Sequence, residues 1–87
     1  MSRGLMKSEE IARVVLGGLV TLRMEPEGEV VRYRIVGEDE GDIPAGRLSV
    51  SAPLARALLG REEDELVTVE TPSGTSTYRI LEIRYGQ

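Results

Sequence analysis

Ten glycines and four prolines cut this chain of 87 residues into pieces with room for short strands and one brief helix, and for little else. Between the breaks the apolar residues mostly alternate. From Leu19 to Met24, Val20, Leu22 and Met24 share one side and Thr21 and Arg23 the other, the period of a half-buried strand. Glu25-Pro26-Glu27-Gly28 turns the chain. Val31, Tyr33 and Ile35 then alternate with Arg32 and Arg34, which predicts an antiparallel hairpin closed by five or six residues. Gly37 to Gly46 reads as a loop carrying Glu38, Asp39, Glu40 and Asp42. It ends in an Ile43-Pro44-Ala45-Gly46 turn, with a short strand, Arg47 to Val50, after it.

At Pro53 the period changes. Leu54, Ala57 and Leu58 recur at helical spacing, Pro53 suits the first turn because a missing N–H is harmless there, and Gly60 supplies the stop. A helix of about seven residues cannot persist alone in water, so Leu54, Leu58 and Leu59 must be held against a sheet. Val67 and Val69 mark another strand, and Thr71-Pro72-Ser73-Gly74 a hairpin turn into the last one. Along that last strand Tyr78 and Ile80 share one face but Leu81, Ile83 and Tyr85 the other. The apolar phase flips, which predicts a bulge or sharp twist near Ile80 and Leu81. Near the start, Ile11, Val14 and Val15 fit one helical turn, and Val14 to Leu16 fit an extended lead-in as well. The sum is one α+β domain: a curved antiparallel sheet of about five strands with one short helix on its concave face.

Composition narrows the function. With no Cys and no His the chain has no disulfide framework, zinc-finger spacing, thiol nucleophile or imidazole acid/base. With no Trp, no Phe and only Tyr33, Tyr78 and Tyr85, its core must be built from Val, Leu and Ile. Fifteen acidic against eleven basic side chains leave a charge of -4, which argues against direct nucleic-acid binding. The longest apolar stretch, near Val14 to Leu22, contains two Gly and a Thr and is far short of the roughly 20 residues a membrane span needs. Met1 to Glu10 lacks the apolar run of a signal peptide, so a cytoplasmic location is expected.

The acidic runs Glu38-Asp39-Glu40-Gly41-Asp42 and Glu62-Glu63-Asp64-Glu65 have the wrong spacing for a cation loop and no apolar setting that would raise a carboxylate pKa. Both read as exposed loops that aid solubility, with no metal or cofactor expected. Between them, Arg47, Arg56 and Arg61 are the only charges from Gly46 to Arg61, a cationic and apolar segment suited to a protein partner. At the helix start either Ser51 or Ala52 must be the N-cap, Ser51 being the better one chemically. If Ala52 caps, backbone donors and Pro53 are left as a small recognition edge.

Several runs, taken together and in order, make a specific signature: Val20-Thr21-Leu22, Tyr33-Arg34-Ile35-Val36-Gly37, Leu48-Ser49-Val50, Pro53-Leu54-Ala55-Arg56-Ala57-Leu58-Leu59-Gly60, Glu70-Thr71-Pro72-Ser73-Gly74 and Tyr78-Arg79-Ile80-Leu81. From Leu16 to Tyr85 the chain resembles the C-terminal domain of the bacterial GreA/GreB transcription elongation factors. The resemblance implies an FKBP-like fold and a role docking on RNA polymerase, at a coiled coil beside its secondary channel. In the family the loop before the helix, usually Asp or Asn followed by Ser-Pro, is part of that contact. Here those positions hold Ser51, Ala52 and Pro53, so only Pro53 matches outright. With Leu54 and Arg56 they form the expected partner-binding set.

Gre factors also carry a long N-terminal coiled coil whose acidic tip supports transcript cleavage. The resemblance leaves a short extension, 1–15, ahead of a domain at 16–87, and at about 1.5 Å per helical residue 1–15 could not reach down a channel. A non-enzymatic regulator that occupies the dock is therefore expected. Two other readings compete with it. A peptidyl-prolyl isomerase or chaperone would need an aromatic-lined pocket, and a generic interaction domain would keep the scaffold without the polymerase contact.

Overall fold

The structure is a computed structural model and describes residues 12–86. The alternating segments become β1 (Leu19–Glu25), β2 (Val30–Val36), β3 (Arg47–Ser49), β4 (Leu66–Thr71) and β5 (Gly74–Arg84), and the Pro-led segment becomes the helix α1 (Pro53–Leu58). They form one curled sheet in the order β3-β2-β1-β5-β4, with β1 at its centre. Val20, Leu22, Ile35 and Ile80 are completely buried on one face, where Ala55 and Leu58 of α1 close over them. Alternation along β1 to β4, and a bulge in β5, put the core-forming apolar side chains on that face, so a six-residue helix finds a surface that holds it.

The sheet is mixed, which corrects the antiparallel expectation. β1 pairs antiparallel with β2 and β5, and β4 with β5, but β3 runs parallel to β2 through Arg34↔Arg47, Ile35↔Leu48 and Val36↔Ser49. Side-chain alternation is the same in either direction, so it cannot report strand polarity; the connection does. Gly37 to Gly46 folds into two 3-10 turns, Glu38–Glu40 and Ile43–Ala45. Gly46, at φ 81°, then brings the chain back beside β2 in the same direction, with Arg34 N–H on the Gly46 carbonyl at 2.8 Å. The β1–β2 connection is also tighter than expected: Pro26 to Glu29 separate the strands, and Met24 N–H donates to the Glu29 carbonyl at 2.7 Å.

The phase flip in the last strand is a bulge. Thr21 pairs with Glu82 while Leu22 pairs with Ile80, leaving Leu81 as the extra residue and turning both Ile80 and Ile83 toward the core. β4 does not extend beside this part of β5. In its place Asp64 N–H donates to the Ile80 carbonyl at 2.7 Å, Ile80 N–H to the Glu65 carbonyl at 3.0 Å, and Ile83 N–H to Glu63 Oε2 at 3.0 Å.

Of the two readings near the start, the extended one holds for Val14; Ile11 lies outside the described residues. Val14 N–H donates to the Arg61 carbonyl and Gly60 N–H to the Val14 carbonyl, both at 2.9 Å. Val14, on the extension side of the expected boundary, is 1% exposed and belongs to the core. Beside it the Tyr85 hydroxyl accepts from Arg13 N–H at 2.8 Å and donates to the Arg13 carbonyl at 2.6 Å.

Candidate functional site

Ser51, Ala52, Pro53, Leu54 and Arg56 lie at the leading end of α1, just after β3. Ala52 is the N-cap, in extended conformation at φ -68° and ψ 148°, and no side chain caps the helix. The better capping chemistry of Ser51 is used elsewhere. Its N–H donates to Ser49 Oγ at 3.2 Å, and the two hydroxyls meet at 2.9 Å. Ser49 in turn donates to the Glu38 carbonyl at 3.3 Å. This chain of hydroxyls joins the acidic turn, the end of β3 and the start of the helix.

Pro53 and Arg56 are exposed, Ala52 and Leu54 are half-buried, and Ala55 faces the core. The segment thus presents a rigid proline and part of a leucine outward while its neighbours anchor it inward. α1 ends as the sequence implies, with Leu59 leaving helical geometry and Gly60 at φ 84°.

Next to this edge lies a shallow cleft of about 320 Å³ bounded by Glu38, Asp39, Ile43, Leu48, Ser49 and Ala52. None of its lining residues is aromatic, so the cleft offers nothing to the isomerase reading. Ile43 is 50% exposed at its rim. Gly41 makes the junction tight: a Cβ there would stand 2.9 Å from Ser49 Cβ and 3.2 Å from Ser49 N.

In the sequence the acidic turn reads as an exposed loop that aids solubility. β3 is only three residues long, about 10 Å at strand rise, so the turn before it and the helix after it must be neighbours. That shortness was the available signal. Glu63 and Glu65 were missed in the same way. Glu65 accepts from Glu62 N–H at 2.8 Å and pairs with Arg61 at 3.4 Å, while Glu63 serves the β5 bulge. Among the described residues no three carboxylates converge on a point that could hold a metal ion.

A family model described as "Transcription elongation factor, GreA/GreB, C-term" matches residues 8–85. The transcription elongation factor GreA of Alkalilimnicola ehrlichii is 52% identical over 73 residues, 84% of this chain and 46% of that protein. The chain thus spans about half the length of the curated relatives it matches. Among solved structures, the GreA factor homolog 1 (Gfh1) protein of Thermus thermophilus superposes with a TM-score of 0.75 at 23% identity, over 91% of this chain and 53% of that one, a likeness of fold. The prokaryotic transcription elongation factor GreA/GreB from Nitrosomonas europaea gives 0.70 at 28% identity, over 92% and 68%.

Proposed function

The chain belongs to the GreA/GreB transcription elongation factor family, matched in its C-terminal domain, and from that we propose that it binds RNA polymerase beside the secondary channel and regulates transcription without cleaving transcripts itself. The site is the leading edge of α1, with Ser51, Ala52, Pro53, Leu54 and Arg56 in contact with the polymerase coiled coil. One observation carries the reading: the exposed Pro53 and half-buried Leu54 stand on a helix whose inner face is locked into the core. A preformed edge of this kind loses little conformational freedom on binding.

No step of chemistry is assigned to these residues. They offer a hydroxyl, a proline ring, an apolar side chain and a guanidinium, which suit recognition. A factor of this kind acts where the polymerase is, in the cytoplasm. Among the described residues no helix is long and apolar enough to cross a membrane.

The test is a pull-down with purified RNA polymerase at micromolar protein, near -8 kcal/mol of binding. Binding is expected, with Leu54→Asp weakening it about 30-fold as the loss of a central apolar anchor, and Pro53→Ala weakening it less. No capture of the wild-type chain would sink the proposal. A thermal melt of each variant separates lost contact from lost fold.

A further inference from the structure

The face of the sheet that turns away from the core carries a cluster of arginines that the overall charge conceals. The register places Arg47, Arg34, Leu19 and Arg84 in one row across β3, β2, β1 and β5, and Arg32, Thr21 and Glu82 in the next. Beyond it Arg23 pairs with Arg79. At about 4.8 Å between strands and about 6.7 Å between same-face residues, the arginines form a two-dimensional array. They face four carboxylates on this side: Glu82 beside Arg84, Asp42 beside Arg47, Glu25 shared by Arg23 and Arg79, and Glu70 toward the far end of β4. The face is therefore positive on a chain of charge -4.

Two of these arginines are held ready. Arg32 donates through Nε to Thr21 Oγ1 at 3.1 Å, and Arg84 through Nε to Glu82 Oε2 at 2.9 Å. Among the described residues their terminal nitrogens have no hydrogen-bond partner. Both line a shallow depression of about 280 Å³ with Leu19 and Glu82. A guanidinium steadied at Nε, with its outer nitrogens available, suits a bidentate acceptor such as a phosphate.

We infer that this outward face binds the phosphodiester backbone of a nucleic-acid duplex, without reading its sequence. The chemistry of the face favours this occupant over an acidic protein. Protein interfaces centre on buried aromatic or aliphatic anchors, whereas nucleic-acid interfaces are polar and strongly positive. At the centre here arginine, threonine and glutamate surround a single half-buried leucine, Leu19, and the exposed apolar side chains Val30 and Leu66 stand at its margin. A duplex is favoured over a single strand because no tyrosine is on this face to stack a base. Tyr33 and Tyr78 pack against the core, and Tyr85 is bound to the Arg13 backbone. The inference stands apart from polymerase docking, which uses the helix edge.

The experiment is fluorescence anisotropy of a labelled 20-base-pair DNA duplex titrated with the full chain at several salt concentrations. If about three phosphates are neutralised, affinity should fall about 40-fold between 50 and 200 mM salt. Arg32→Ala and Arg84→Ala should each shallow that dependence by about one charge, and Arg61→Ala should leave it unchanged. Arg84 is 69% exposed, so its variant keeps the test available if Arg32→Ala unfolds. No binding at low salt, binding indifferent to both variants, or equal binding of polyglutamate in competition would each overturn the inference.

Discussion

Glu63 sits in a run of four acidic residues that reads in the sequence as solvated surface, yet its carboxylate takes the Ile83 N–H that β4 does not reach. Glu63→Ala is expected to cost about 1–2 kcal/mol in urea denaturation, because it leaves that backbone donor without its charged acceptor. Gly41 is a second such residue. Gly41→Ala forces Ser49 to move, with an expected loss of about 1–3 kcal/mol and weaker polymerase capture, since Ser49 joins the acidic turn to Ser51. Tyr33 titrates above the ordinary phenol range, chiefly because burial disfavours its anion and then because Tyr78 and Glu29 add negative charge nearby. Its folded pKa exceeds its unfolded one, so its contribution is whole below about pH 10 and declines as pH rises past that value. Tyr33→Phe should therefore flatten the alkaline loss of stability, read as melting temperature against pH. None of these three roles could be seen in a linear sequence, because each depends on a neighbour distant along the chain.

At the scale of elements the legible features were those written in local periodicity. The helix from Pro53 is six residues long and survives through Ala55 and Leu58. Leu58→Ala is expected to lose about 2–5 kcal/mol, a large part of a small domain's stability, measured by the denaturation midpoint. The bulge at Leu81 was legible too, since a change of apolar parity in one strand has few other physical solutions. Deleting Leu81 should rotate Ile83 and Arg84 to opposite faces and leave the chain unfolded or much weakened, as circular dichroism would report. Strand polarity was not legible, and β3 turned out parallel to β2 because of how Gly37 to Gly46 folds. Nor was the N-cap. Ser51 is the better cap by chemistry, but its hydroxyl is drawn to Ser49, and Ala52 takes the position without a side-chain bond.

For the molecule as a whole, the docking proposal predicts competition: added in excess, the chain should displace a full-length Gre factor from polymerase and suppress transcript cleavage while cleaving nothing itself. A cleavage assay with a paused elongation complex reads both effects. Family, strand count and the Pro-led helix were available from residue order alone, because motif spacing and apolar period are local properties of a chain. Which carboxylate closes a bulge, which loop abuts the helix start, and that six arginines gather on one face of an acidic protein depended on tertiary structure. Those are relations between residues far apart in the chain, set by sheet order and register, and nothing in the periodicity of a single strand specifies which strand lies beside it.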